Sequence, residues 1–329
     1  MNKRIKLVTI LILIMSLTLL TGCSISDFHI YASSTSGIGN VFKIGPYSCS
    51  KKEFRVYLCN YKNLYGVFDE SEMEDESSEK LVEGGLKSAV LEHLTKVYSL
   101  ALYARDNDIE LTNDEEKNCE KAAEEYYDSL TSEDISYMGV SESDIEKMYK
   151  RYALAEKVYV QLMNSVDEEV SEDEARMMEA EVIYVTNEAD AAAVTKGLQE
   201  GATFTSLAQK YSKADNIDVT FGRHKYPKEV DKVVFNMENG QVSNMITTED
   251  GYYFFKCINK YNKELSEQNK VNVISERKNE LVEDMIKDHE EKYYSHFSES
   301  TLENLVVNKS PEVKSDSFFQ VLNKYIAFK

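Results

Sequence analysis

The chain has 329 residues, enough for two ordinary domains with a good core. Its 58 acidic residues against 38 basic ones leave a formal net charge of -20, which repels nucleic-acid phosphates and excludes nucleic acid as a partner. Trp is absent and only 3 prolines interrupt the chain, so helices can run long.

The N-terminus reads as a targeting segment, not as part of the fold. Lys3, Arg4 and Lys6 form a basic start, residues 8–20 are mostly apolar, and Leu20-Thr21-Gly22-Cys23 has the form of a bacterial lipobox. The expectation is a signal peptide over 1–22, cleaved after Gly22, with lipid on Cys23. A lone transmembrane anchor would need a longer apolar run. Two acyl chains suffice for stable attachment, so the expected location is the extracytoplasmic face of the cell membrane. The other cysteines, Cys49, Cys59, Cys119 and Cys257, show neither a CxxC nor a zinc-like spacing, so no metal is expected. An even number in an exported chain permits disulfides; the preferred reading is unpaired, buried thiols.

Residues 23–40 read as a flexible tether and 41–44 as a short strand. Ser50 caps a helix over 51–65. Residues 69–79 form a dense acidic loop, expected to be mobile. A long helix over 80–106 places Leu86, Val90, Leu94, Val97, Ala101 and Ala104 on one face. Thr112 to Glu115 is a capping box for a helix over 113–130. Ser141 opens another over 142–164, with Ile145, Met148, Tyr152, Ala155, Val158 and Leu162 inward, and Ser171 with Glu174 caps a short helix. The strand–helix alternation of a solute-binding domain is absent from 41–170.

Over 180–260 the period changes. Strands are predicted over 181–186, 242–246 and 252–259, and helices over 189–199, 203–211 and 228–235, with Gly201 as a stop and Asn239-Gly240 and Asp250-Gly251 as turns. A last long helix covers 268–298, with Val271, Ile274, Leu281, Met285 and Tyr293 inward, and 305–307 is a strand candidate. No Ser-His-Asp, Walker or dinucleotide pattern is present. His93, His289 and His296 lie on predicted helices without a paired ligand, and His224 lies in a loop.

Several motifs occur in one order: Gly201-x-x-Phe204-x-x-Leu207-Ala208, Tyr211-Ser212, Phe235, Gly240-x-Val242-Ser243 and Gly251-Tyr252. Together with the β-α-α-α-β-β order they resemble a parvulin-type peptidyl-prolyl isomerase domain, and the whole layout is similar to PrsA- and SurA-like foldase lipoproteins. The resemblance implies an α+β fold: a mainly helical N-terminal domain over 41–173, completed by a C-terminal helix and tail over 263–329, with an inserted parvulin-like α/β domain over 174–262. It also implies pairing of 305–307 with 41–44.

The reaction so implied is rotation about an X-Pro bond, without a cofactor. The two family histidines are replaced by Val182 and Tyr253. Tyr253 and Asp215 are the catalytic candidates. Phe221, Tyr226, Val230 and Phe235 are the substrate-pocket candidates. The expected partners are unfolded or newly exported polypeptides, and the membrane through Cys23. The expected function is a lipid-anchored foldase. The alternative is a non-enzymatic chaperone or scaffold that uses a degenerate parvulin domain to bind peptides.

Overall fold

The computed structural model describes residues 31–32, 39–65 and 76–328. The expected signal segment, Cys23 and acidic residues 69–75 lie outside the described residues. The chain divides into two compact units, one formed by Met1–Ser165 with Asn279–Lys329 and the other by Val166–Lys278. The divisions at 165/166 and 278/279 lie beyond the predicted 173/174 and 262/263, so the second unit takes a longer share of chain at both ends. The fold class is α+β, a helical unit interrupted by an α/β unit.

The first unit carries a sheet of strands β1 (Tyr31–Ala32), β2 (Asn40–Ile44), β3 (Tyr47–Ser50) and β8 (Ser295–Phe297), in the order β1-β8-β2-β3. β2 turns into β3 through Gly45, whose φ of 53° is cheap only for glycine and whose Cβ would stand 2.9 Å from the Tyr293 ring. The predicted tether is interrupted by β1, which pairs in parallel with β8. The partner of β2 is also corrected. Phe42, Lys43 and Ile44 face Phe297, His296 and Ser295, not 305–307. Leu305 and Val307 are buried and Val306 is 69% exposed, a strand-like alternation, but the segment is irregular and is held by the Tyr137 hydroxyl donating to Val306 O at 3.0 Å. Alternation reports burial on one side and does not name a hydrogen-bonding partner.

Helix α1 (Lys51–Tyr65) starts where Ser50 Oγ accepts from Glu53 N at 3.2 Å. Helix α2 (Glu76–Asp106) begins inside the predicted acidic loop; acidic side chains suit a helix N-terminus, so that run need not delay it. All six residues assigned to its inner face are buried. Helix α3 (Asn113–Ser129) has the predicted capping box on Thr112 and Glu115. The unpredicted α4 (Ser132–Met138) has a second box on Thr131 and Asp134 and stops at Gly139. Helix α5 (Glu142–Ser165) buries the six residues predicted for it. The turn at 171–174 has the predicted bonds, Ser171 Oγ accepting from Glu174 N at 3.2 Å, but ends after one turn because the chain then enters a strand.

The core of this unit is aromatic. Tyr57, Tyr98, Tyr126, Tyr149, Phe318 and Phe319 are all fully buried. The two phenylalanines come from the unpredicted α11 (Phe318–Tyr325), near the C-terminus. Phe318 packs tilted against Tyr149 with centroids 4.5 Å apart, and the Tyr149 hydroxyl donates to Phe318 O at 2.7 Å. Asp134 Oδ1 accepts from Lys314 N and Ser315 N at 2.9 and 3.1 Å, and Asn60 Oδ1 accepts from Phe318 N at 3.0 Å. A half-buried Arg151 donates to both oxygens of the buried Glu53 at 2.7 and 2.8 Å. Cys49, Cys59, Cys119 and Cys257 are buried and unpaired.

The second unit is a four-stranded antiparallel sheet of β4 (Met178–Val185), β5 (Asp218–Phe221), β6 (Ile246–Thr247) and β7 (Tyr252–Asn259), ordered β5-β4-β7-β6. Helices α6 (Glu188–Gln199) and α7 (Phe204–Tyr211) join Ile183, Val185 and Phe254 in one cluster. Helix α8 (Lys228–Val234) belongs to the other, with Val182 and Phe255. The element order is therefore β-α-α-β-α-β-β. β5 is only 4 residues long, too short for its polar–apolar alternation to mark a strand. The strand predicted over 242–246 is reduced to a single bridge, Val242 with Lys256, followed by β6.

Helix α9 (Lys263–Lys292) ends earlier than predicted, and β8 takes over at Ser295. Val271 is 70% exposed, while Val282, Met285 and Ile286 are buried. The apolar stripe thus belongs to the second half of the helix. The remaining short helix, α10 (Glu299–Glu303), follows β8.

Candidate functional site

Period-two alternation on β4 and β7 assigns side chains to the two sheet faces. Ala180 and Val182 of β4 join Phe255 and Cys257 of β7 in one buried cluster, with Tyr253 packed against it. In register, Val182 faces Phe255 and Tyr184 faces Tyr253. β5 adds Phe221, α8 adds Val230 and Val234, and Phe235 follows α8 directly. Tyr226 reaches the same cluster from the loop between β5 and α8.

The rings form a connected set. Tyr226 stands edge-on to Phe221 at 4.9 Å, to Phe255 at 5.2 Å and to Tyr253 at 5.9 Å. Tyr253 stacks on Tyr184 at 4.7 Å, and the Tyr184 hydroxyl donates to Asp250 O at 2.7 Å. Such edge and offset contacts add about 0.5–1.5 kcal/mol each beyond burial. Burial raises the Tyr253 phenol above its usual range, with Tyr184 and Asp250 adding to this. Burial, then Tyr253, does the same to Tyr226. Both remain neutral hydroxyl donors at physiological pH.

Gly251 permits the entry into β7. At its φ of 146° a Cβ would lie 2.5 Å from Val185 O and 3.0 Å from the Tyr184 ring.

The structure brings Phe221, Tyr226, Val230, Phe235 and Tyr253 together. Phe221, Val230 and Phe235 are buried, and Phe235 also lies under the Arg223 guanidinium at 4.6 Å. Tyr226 and Tyr253 keep partial exposure. Asp215 is exposed in the loop after α7, one residue beyond Ala214, which packs against the cluster. Val182 is buried, and its N–H donates to Ile217 O at 2.8 Å, so its side chain offers no polar group. Sequence reasoning missed Tyr184, although it stands two residues beyond Val182 on the same strand face. Among the described residues no group of three or more His, Cys, Asp or Glu is placed to hold a metal. No described helix is long and apolar enough to cross a membrane.

Residues 181–259 match the Rotamase family, the PPIC-type PPIase domain. This segment of the chain is a parvulin-type domain. The foldase protein PrsA of Enterococcus faecalis is similar, 28% identical over 161 residues, 44% of this chain and 47% of that protein. The chain thus spans about half the length of this curated relative. Among solved structures, PrsA from Bacillus anthracis is 19% identical, covers 60% of this chain and 96% of its own, and has a TM-score of 0.39. NmPin, the parvulin of Nitrosopumilus maritimus, is 25% identical, covers 25% of this chain and 96% of its own, and has a TM-score of 0.23. At such TM-scores the overlays say nothing about the site.

Proposed function

We propose that the protein is a foldase of exported polypeptides, working outside the cytoplasm and held to the membrane by lipid on Cys23. Its second unit rotates X-Pro bonds and its helical unit holds unfolded clients. The observation that carries this is the PPIC-type domain match, whose sheet gathers Phe221, Tyr226 and Tyr253.

The chemistry is modest in its demands. The X-Pro bond turns against a barrier of about 18–20 kcal/mol, and no covalent bond is made. A site lowers it by holding the proline ring on apolar surface and by binding the twisted imide better than the planar one. Tyr226 and Tyr253 supply the ring surface, and the Tyr253 hydroxyl supplies a donor. Desolvation around the ring cluster strengthens that bond.

A second reading has its own observation. The Val182 side chain offers no hydrogen bond and Asp215 is exposed, so the domain fits a peptide-binding module without catalysis. An isomerisation assay on residues 24–329 with X-Pro peptides, beside Tyr253→Phe and Val182→His, separates the two. Turnover that falls roughly tenfold or more in Tyr253→Phe supports the isomerase. A native protein without turnover that gains it in Val182→His supports the binding module.

A further inference from the structure

Tyr226 is the one ring of the cluster carried by a loop; the others are on β4, β5 and β7 or directly follow α8. Its placement depends on how 222–227 is held. On one side Arg223 is anchored: Nε donates to Asp173 O at 3.0 Å, a second nitrogen bonds the Asp173 carboxylate, and the guanidinium covers Phe235. At the next residue the backbone of His224 is left-handed, with φ of 64°. That conformation is costly for a residue other than glycine. The His224 side chain is 89% exposed, so packing does not hold it there.

What does hold it is Asp231, on α8. Asp231 Oδ2 accepts from His224 N at 2.8 Å. The aspartate side chain is only 10% exposed, and its Oδ1 is buried with no partner. A carboxylate buried at this cost for one backbone bond, with the exposed His224 Nδ1 3.9 Å away, calls for an explanation. Pro227 leaves the start of α8 with no side-chain cap, and Asp231, one turn inside that helix, bonds back to the loop. Val230, beside Asp231, packs in the ring cluster, so helix, loop and Tyr226 are tied in one small frame.

We infer that Asp231 is a positioning residue of this site: by fixing the left-handed turn at His224 it presents Tyr226 to the proline of the client. The inference rests on the proposed isomerase or proline-binding reading of the domain. It acts through Tyr226 alone, which ground state and transition state contact alike. Losing it therefore raises KM and leaves kcat nearly unchanged.

The test is a mutant cycle in the full chain, with Asp231→Ala, Asp231→Asn, Tyr226→Ala and the double Asp231→Ala/Tyr226→Ala, measuring kcat, KM and peptide affinity on one X-Pro peptide. Asp231→Ala should raise KM roughly tenfold, a scale that a small misplacement of a binding group produces. Asp231→Asn keeps an oxygen acceptor for His224 N and should restore most of it. In Tyr226→Ala the Asp231→Ala change should cost nothing further. Independent, multiplying effects overturn the inference, as does an Asp231→Ala protein that differs from the native one only in thermal midpoint. A native chain that neither rotates nor binds the peptide overturns the proposed function instead. The loop is then read from the Tyr226 ring-proton NMR shifts, which must move in Asp231→Ala and stay in Asp231→Asn; unmoved shifts in both overturn the inference.

Discussion

Glu156 on α5 has a buried Oε2 without a hydrogen-bond partner, and burial raises its carboxyl to about 7. The unfolded chain titrates this group near its ordinary 4.5, so between these values the folded state holds the extra proton. The associated stability is complete at acid pH and is lost as pH rises through about 7. Glu156→Gln should therefore be more stable than the native chain at pH 8, by about 1–3 kcal/mol, with the gap closing below pH 5. Urea melts at both pH values check this, and a pH-independent difference refutes it. Gly251 makes the opposite kind of prediction. A methyl at 2.5 Å from Val185 O cannot be accommodated without moving β7 from β4, so Gly251→Ala should cost at least ~2 kcal/mol and disturb Tyr184 and Tyr253. An unchanged melting midpoint would rule out this account of the turn. At this scale much was legible. Phe221, Tyr226, Val230, Phe235 and Tyr253 were named from motif positions, and the structure gathers them. The motif pointed to Asp215 and gave no sign of Asp231, because a carboxylate shows its role only when its hydrogen-bond partner is in place.

The capping box read at Thr112 opens α3 as expected, since a cap is satisfied within four residues and needs no tertiary partner, whereas the one read at Ser171 closes a single turn. The boxes at Thr112 and Thr131 each have both reciprocal bonds. Thr112→Ala should lower the stability of the first unit by about 1 kcal/mol, measured by chemical denaturation, and no change would mean that α3 is held by packing alone. Strand partners were less legible. Residues 305–307 and 295–297 are both short and β-compatible, and only the course of the chain after α9 brings β8 to β2. A disulfide trap tests this: Lys43→Cys with His296→Cys should cross-link readily, being direct partners, whereas Lys43→Cys with Val306→Cys should not. The reverse result would restore the first expectation.

For the whole molecule, the C-terminal residues complete a core begun by the N-terminal helices. Phe318 and Phe319 sit fully buried among Tyr57, Tyr126 and Tyr149, and main-chain groups of 314–318 are bonded by Asp134 and Asn60. Deleting 305–329 should abolish cooperative unfolding of the first unit, since it removes two large core side chains at about 3–5 kcal/mol each and strands buried polar groups. Circular dichroism melts would show it; a retained sharp transition would mean that the N-terminal helices suffice. The sequence alone determined the helical class of 41–170, most helix bounds, the parvulin pattern and its candidate rings, because caps, periodicity and motif spacing are local. Tertiary structure alone decided that β8 pairs with β2, that α11 fills the first core, that β5 joins the second sheet, and that Asp231 sets the loop under Tyr226. Each joins residues distant in sequence or opposed across a turn, and such contacts are chosen by burial and hydrogen-bond closure in the folded chain.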